Sequence, residues 1–275
     1  MCLKGGGMEI MMKLGFIGLG NMAKAILAGL LQSGVFAAED ISGSDVAEAV
    51  RTAVADKYHI NTDKSNTEVA AGSDVLVLAV KPQFMEGVLT EISPFVTGDT
   101  LIISIAAGKS LSWLQERLNT EARLIRFMPN TAAMVGESCT AICKGVSATQ
   151  EDVALAVRMC QSFGTCQVID EKLMDAFSAI GGSSGAFAFL YMEALADGAV
   201  EAGMPRNMAY EVAAQATMGA AKLMRDSKEH PGVLKDMVCS PGGTTIEGIK
   251  ALEKGGVRGS VMDAIEACVT KAGKL

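Results

Sequence analysis

The sequence predicts an α/β fold, with a doubly wound N-terminal domain over residues 13–169 and an all-α domain over residues 170–275. Three observations carry this. From Lys13 onward, short and nearly continuous aliphatic runs alternate with helical patterns, which is how parallel strands covered on both faces read. A Gly-x-Gly-x-x-Ala pattern, residues 18–23, falls between the first such run and the first helical one. Beyond about Asp170 the aliphatic runs stop and Ala-rich helical periodicity takes over. Strand–helix alternation followed by helices alone marks a layered α/β domain joined to a helical one. The 275 residues also exceed the usual single-domain size of roughly 100 to 150.

The first strand is expected over residues 13–18 and the first helix over 21–32, closed by Gly34 near its C-terminus. Further strands are expected at 40–43, 74–80 (Asp-Val-Leu-Val-Leu-Ala-Val), 100–106 (Thr-Leu-Ile-Ile-Ser-Ile-Ala) and 123–128. Residues 140–143 and 166–169 are read as added edge strands. In the second domain helices are expected over 174–202, 208–226, 244–253 and 261–272. Alanine and glycine on these helix faces permit close packing, which suits an oligomer interface and an ordinary monomer core equally.

Composition narrows the function classes. A formal net charge of -7 and a pI near 5.0 leave no global basic field to collect nucleic acid or anionic membrane. The mean hydropathy of +0.30 raises the membrane question, and residues 185–202 are the best candidate span. There Glu193, Asp197 and Glu201 recur every fourth residue and draw one polar stripe, as on a packed amphipathic helix. Residues 1–12 hold a Gly triplet and four methionines but no apolar run of signal-peptide length, and are read as a start-site extension. A cytoplasmic protein is expected. The seven cysteines, at 2, 139, 143, 160, 166, 239 and 268, include no Cys-x-x-Cys and no nearby His, so no metal site or disulfide framework is expected.

The Gly-x-Gly-x-x-Ala pattern, Gly18, Leu19, Gly20, Asn21, Met22 and Ala23, sits between a strand and a helix, the context of a dinucleotide fingerprint in a Rossmann-like domain. Gly18 allows the tight turn, Gly20 lets backbone approach a pyrophosphate, and Ala23 lets helix and strand pack closely. The helix N-terminus adds N–H donors and partial positive charge. Roughly 20 residues further on, at the end of the second strand, an acidic residue would read a free ribose 2′-hydroxyl. The chain has Gly43-Ser44-Asp45 there. Asp45 stands three residues before Glu48 and is read as a helix N-cap with Glu48 completing a capping box. Ser44 is then the ribose-facing residue, a neutral donor that tolerates a 2′-phosphate. NADPH is the expected cofactor, with NADH the alternative.

Several later segments resemble the pyrroline-5-carboxylate reductase family. They are Leu78-Ala79-Val80-Lys81-Pro82-Gln83, Ser104-Ile105-Ala106-Ala107-Gly108, Arg126-Phe127-Met128-Pro129-Asn130-Thr131, Glu193-Ala194-Leu195-Ala196-Asp197-Gly198, Ala202-Gly203-Met204-Pro205-Arg206 and His230-Pro231-Gly232-Val233-Leu234-Lys235-Asp236. The most specific is Ser240-Pro241-Gly242-Gly243-Thr244-Thr245. The resemblance implies a helical domain that forms an intertwined homodimer, with dimers assembling into a larger ring, and a cyclic imino acid as substrate. It implies cofactor contacts at Ser44, Asn66, Ala79, Val80, Lys81, Pro82, Ala106 and Ala107. It also implies a substrate site built from Val238, Ser240, Gly242, Gly243, Thr244 and Thr245. One segment departs. Where the family shows Ser-Gly-Ser-Gly-Pro-Ala-Tyr, this chain has Gly181-Gly182-Ser183-Ser184-Gly185-Ala186-Phe187, so the proline and the tyrosine hydroxyl are missing.

The chemistry follows from these residues. Hydride transfer to an imine needs a nicotinamide, a closed geometry and a hold on the substrate carboxylate. Glycines 242 and 243 let backbone N–H groups point outward where a helix begins; by themselves they read as a plain helix cap, and with the resemblance as a carboxylate nest that needs no arginine. From its family position Thr245 is assigned the hydrogen bond to the imine nitrogen. His230 reads as a loop or cap residue before Pro231-Gly232; Cys239 has nothing beside it to lower its pKa. Glu193 and Asp197 read as solvated helix-face acids.

Two rivals remain. A β-hydroxyacid dehydrogenase shares the opening Gly15-Phe16-Ile17-Gly18-Leu19-Gly20-Asn21-Met22. It would, however, need a lysine in the helix after residues 181–185, and none comes before Lys222. A regulator that binds NADPH without turnover is the second.

Overall fold

The computed structural model describes residues 12–118 and 121–274; the extension read at residues 1–12 lies outside them except for Met12. Eight strands form one sheet: β1 (Leu14–Ile17), β2 (Ile41–Ser44), β3 (Asn61–Asp63), β4 (Val75–Leu78), β5 (Leu101–Ser104), β6 (Arg123–Met128), β7 (Ser138–Lys144) and β8 (Gly164–Val168). Their order is β3-β2-β1-β4-β5-β6-β7-β8, parallel except where β7 meets β6. The order reverses between β1 and β4, both of which pair with parallel neighbours in matched register, Leu14↔Ile41 on one side and Leu14↔Val75 on the other. In open α/β sheets such a reversal opens a crevice at the strands' carboxyl ends.

Helices α1 (Asn21–Ser33), α2 (Glu48–Tyr58), α3 (Asn66–Ala71), α4 (Met85–Ile92), α5 (Leu111–Leu118) and α6 (Gln150–Gln161) cover the sheet. The strands explain why both faces need cover. Phe16, Val75, Val77, Ile103 and Ile125 point to one face, where they pack with Ile26, Leu27 and Leu30 of α1 and with Met159 and Cys160 of α6. Ile17, Leu76, Leu78, Ile102 and Leu124 point to the other, against Val69 of α3, Met85, Leu89 and Ile92 of α4 and Leu114 of α5. This is the period-2 alternation of a strand with two apolar faces. Each such side chain contributes about 1.5 to 3 kcal/mol by leaving water. Helix α1 stops where expected: Gly34 takes φ +67° and its N–H closes on Leu30 and Leu31.

Four expectations are corrected. Residues 140–143 belong to β7, which is not an edge strand: it runs antiparallel beside β6 and parallel to β8, burying Thr140, Ala141, Ile142 and Cys143. Of the two, β8 is the edge strand, with β3 at the sheet's other edge. Strand β3, three polar residues with two of them exposed, carried no apolar signal. The helix expected over 174–202 is α7 (Met174–Phe177), a π-helical turn (Ser178–Ser183) and α8 (Ser184–Glu201). In the interruption the Asn130 side-chain amide donates to the Gly181 carbonyl at 2.6 Å, and Ser178 Oγ bonds back to Met174 O. Beyond α9 (Arg206–Ser227), the short α10 (Pro231–Val238) was not expected; α11 (Thr244–Lys254) and α12 (Val257–Ala272) complete the chain.

The chain divides into two compact units. One runs to Gly182 and includes the last residues from Lys271; the other is Ser183–Thr270. In the second unit α8 and α9 pack together, and among its described residues only Ala196, Ala209 and Ala213 are buried.

Candidate active site

The expected dinucleotide residues of the first unit converge on the carboxyl ends of β1, β2, β4 and β5. Gly18 has φ +92°, and a Cβ there would lie 2.8 Å from the Ala79 carbonyl oxygen, so only glycine fits. Gly20 is the N-cap of α1 with extended backbone and no side-chain cap, and a Cβ on it would meet nothing within 4 Å. The first turn of the 13-residue α1 holds no acid. Its leading N–H groups therefore face an open cradle at the positive end of the helix, which fits a pyrophosphate. Asn21 is exposed, Met22 half-buried and Ala23 buried against the sheet.

The β4 and β5 ends stand alongside. Ala79 N–H donates to Ile17 O at 2.8 Å, and Val80 approaches Gly18. Lys81 is exposed and Pro82 opens a short 3-10 turn. Ile105 N–H donates to Leu78 O, Ala106 is buried with its N–H on Ser104 Oγ, and Ala107 follows half-buried.

At β2 the arrangement differs from expectation. Ser44 is fully buried, and its Oγ donates to Asn66 Oδ1 at 2.8 Å while Asn66 Nδ2 donates to Glu91 Oε2 at 2.7 Å. Its carbonyl accepts from Gly18 N at 2.8 Å. Ser44 is thus part of the sheet, turned toward α3, and offers no free hydroxyl. Asp45 is not an N-cap: Ala47 is, without a side-chain bond. The Asp45 carboxylate instead accepts from Leu19 N at 2.9 Å, inside the Gly-rich turn, and from Ala47 N at 2.9 Å. Arg51 donates to the Asp45 carbonyl at 2.6 Å. The signal was present in the sequence, an acid directly after the second strand, but the capping-box spacing to Glu48 hid it.

In the second unit, residues 240–245 form a turn into α11. Gly242 has φ +71°, Gly243 is the N-cap without a side-chain bond, and its N–H closes on Ser240 O at 3.0 Å. Thr244, Thr245, Ser240 and Val238 are exposed. His230 is the N-cap of α10, its Nδ1 accepting from Gly232 N at 3.1 Å, as its place before Pro231 predicts. Asp197 is bonded to Arg206.

All six described cysteines are free thiols. Burial holds Cys139, Cys143 and, further, Cys160 above the usual thiol range. Cys166 is lowered to about 7 by a hydrogen bond from Cys160.

A mostly parallel doubly wound sheet with an open Gly-rich turn at its switch point, in a chain that also carries a helical unit, is the architecture of nicotinamide-dinucleotide oxidoreductases. Residues 13–108 match the family model described as NADP oxidoreductase, coenzyme F420-dependent, and residues 171–275 match pyrroline-5-carboxylate reductase dimerisation. The chain is 44% identical to the pyrroline-5-carboxylate reductase of Escherichia coli K12 over 96% of its own length and 98% of that protein's. It is 43% identical to that of Methanosarcina acetivorans, over 92% and 94%. It also superposes on the Plasmodium falciparum pyrroline carboxylate reductase with NADP bound, at TM-score 0.86 and 32% identity over 98% and 99% of the two chains. The chain belongs to the pyrroline-5-carboxylate reductase family.

Proposed function

We propose that this protein reduces 1-pyrroline-5-carboxylate to L-proline by hydride transfer from NADPH to the C=N bond, with NADH as alternative donor, in the last step of proline biosynthesis. The observation that carries the reading is the open cradle at Gly18 and Gly20, set at the switch point of a chain alike over 96% of its length to a reductase of this name. When bound, the nicotinamide supplies the hydride. The uncapped start of α1, residues 20–23, holds the pyrophosphate by backbone N–H groups while Gly18 and Leu19, whose N–H groups are bonded to Ser44 and Asp45, shape the turn, and Ala79, Val80, Lys81, Pro82, Ala106, Ala107 and Asn66 line the cofactor's course.

The substrate carboxylate is held by backbone N–H groups of Gly242, Thr244 and Thr245, with Ser240 and Val238 beside them and Gly243, its own N–H closed on Ser240 O, shaping the turn. The left-handed Gly242 and the uncapped start of α11 support this, because they leave those donors without side-chain partners. Reduction leaves a proton on nitrogen. Thr245 Oγ hydrogen-bonds that nitrogen and orients it, and no strong acid is required because the protonated imine is already the better hydride acceptor.

The substrate-binding and dimerisation domain starts at residue 170, and the homodimer assembles further into a ring in the cytoplasm. No nucleic acid or membrane takes part. Residues Glu171–Glu201 are apolar and long enough to cross a bilayer by length and composition. The polar stripe of Glu193, Asp197 and Glu201 and the π-helical break favour a protein partner over lipid. Helix α8 holds no lysine, which speaks against a β-hydroxyacid dehydrogenase.

The test is loss of NADPH absorbance on adding pyrroline-5-carboxylate, with NADH and a hydroxyacid in parallel and proline as the product sought. Hydroxyacid oxidation would favour the dehydrogenase, and tight NADPH binding without turnover the regulator. For Thr245 the measurement is turnover of Thr245→Val; a rate near that of the parent sinks its role.

A further inference from the structure

The carboxylate of Asp45 is the side chain that the fold places where the adenosine ribose of a bound dinucleotide ends, and its chemistry bears on which coenzyme is preferred. Asp45 follows the last residue of β2, whose partner in β1 is Ile17, the residue before the Gly-rich turn. Its two oxygens accept from Leu19 N and Ala47 N, both at 2.9 Å. The carboxylate is therefore clamped between the turn that takes the pyrophosphate and the N-cap of helix α2. An acceptor fixed there can take the 2′-hydroxyl of a free ribose. A 2′-phosphate would instead bring close to two negative charges against it.

The surroundings do not offset that repulsion. Ser44, the neutral neighbour, has its hydroxyl buried and committed to Asn66. Glu48 adds a second acid in the first turn of α2. Arg51 is the nearby cation, and one of its nitrogens is already bonded to the Asp45 carbonyl at 2.6 Å.

Resting on the reductase reading above but reversing its order of coenzymes, we infer that Asp45 is a coenzyme-selecting residue that biases this enzyme toward NADH, and that Arg51 sustains the use of NADPH. The expected effect of removing the charge is a shift of the NADPH-to-NADH ratio toward NADPH by about tenfold or more, because like charges brought together at a binding site cost heavily.

The experiment is calorimetric titration of the full chain with NADH, NADPH, AMP and adenosine 2′,5′-bisphosphate, for the parent, Asp45→Asn, Asp45→Ser and Arg51→Ala. Asp45→Asn keeps an acceptor for Leu19 N while losing the charge, so a merely structural role would leave its ratio unchanged. Tighter NADH binding by the parent, a ratio shifted toward NADPH in both Asp45 variants, and selective loss of the 2′-phosphorylated ligands in Arg51→Ala support the inference. Parent preference for NADPH overturns the bias; an unchanged ratio in Asp45→Asn overturns the assignment. Failure of all four ligands to bind the parent overturns the dinucleotide reading and this inference with it.

Discussion

Arg126, on β6, donates from Nη1 to Glu171 Oε1 at 2.5 Å, and the same carboxylate oxygen accepts from Leu111 N at 2.8 Å. The arginine side chain is only 8% exposed. One acid thus answers a nearly buried cation of the sheet and the first N–H of α5, just where the last strand has ended. Taking the partner away would leave the guanidinium buried and uncompensated, which is far worse than replacing both groups by apolar ones.

Glu171→Ala should therefore cost about 3 kcal/mol of stability, whereas Arg126→Met combined with Glu171→Ala should recover most of the loss. Urea midpoints of the two single variants and the double variant measure this. A double variant as unstable as the sum of the singles would mean that the pair is not the source of the cost.

The two turn glycines should separate folding from binding. Gly18→Ala puts a methyl 2.8 Å from a backbone carbonyl at φ +92°, so it should destabilise the turn and abolish dinucleotide binding together. Gly20→Ala meets nothing within 4 Å. Its melting temperature should stay near that of the parent while dinucleotide affinity falls about tenfold or more, since the methyl occupies the space the phosphates need. Melting curves beside dinucleotide titrations read both, and equal affinity in Gly20→Ala would remove the cradle from the pyrophosphate site.

Cysteine reactivity gives a pH prediction. The Cys160 thiol donates to Cys166 and favours its thiolate, lowering Cys166 to about 7, while burial raises Cys139, Cys143 and Cys160. The thiolate is the nucleophile. Alkylation of Cys166 by iodoacetamide should climb about tenfold per pH unit below 7 and level off above it. Cys139, Cys143 and Cys160 should remain unlabelled at neutral pH. Peptide mass spectrometry resolves each site, and a Cys166 rate still rising steeply at pH 9 would refute the lowering.

The sequence carried the parallel strands well because Val75–Leu78 and Leu101–Ser104 are apolar on both faces, a pattern that depends only on local residues. It carried the fingerprint because Gly18 and Gly20 fall between a strand and a helix. It failed where a partner decides the outcome. Asn61–Asp63 is a strand only because β2 offers its edge, and β7 is interior only because β8 pairs with it in parallel. Asp45 failed for a different reason. The Asp-x-x-Glu spacing to Glu48 is a genuine capping pattern, yet the nearby Leu19 N–H, 26 residues away in sequence, captured the carboxylate. Tertiary competition of that kind has no sequence period.

The helical unit makes the last prediction. Helices α8 and α9 together hold 18 and 22 residues, yet only Ala196, Ala209 and Ala213 among them are buried, and α10, α11 and α12 bury none. Phe189, Leu190, Met218 and Met262 are each more than half exposed. Three alanine side chains cannot offset the entropy of ordering five helices. A second copy covering these faces supplies the missing apolar burial, in line with the dimerisation match over residues 171–275. Unfolding should then depend on protein concentration, with the thermal midpoint rising several degrees for each hundredfold increase. Leu190→Asp should dissociate the dimer and collapse the midpoint, because it sets a charge in an apolar interface. Light scattering and melting curves across that concentration range decide the matter: a concentration-independent midpoint in a monodisperse monomer would leave the helical unit without a source of stability and sink the argument.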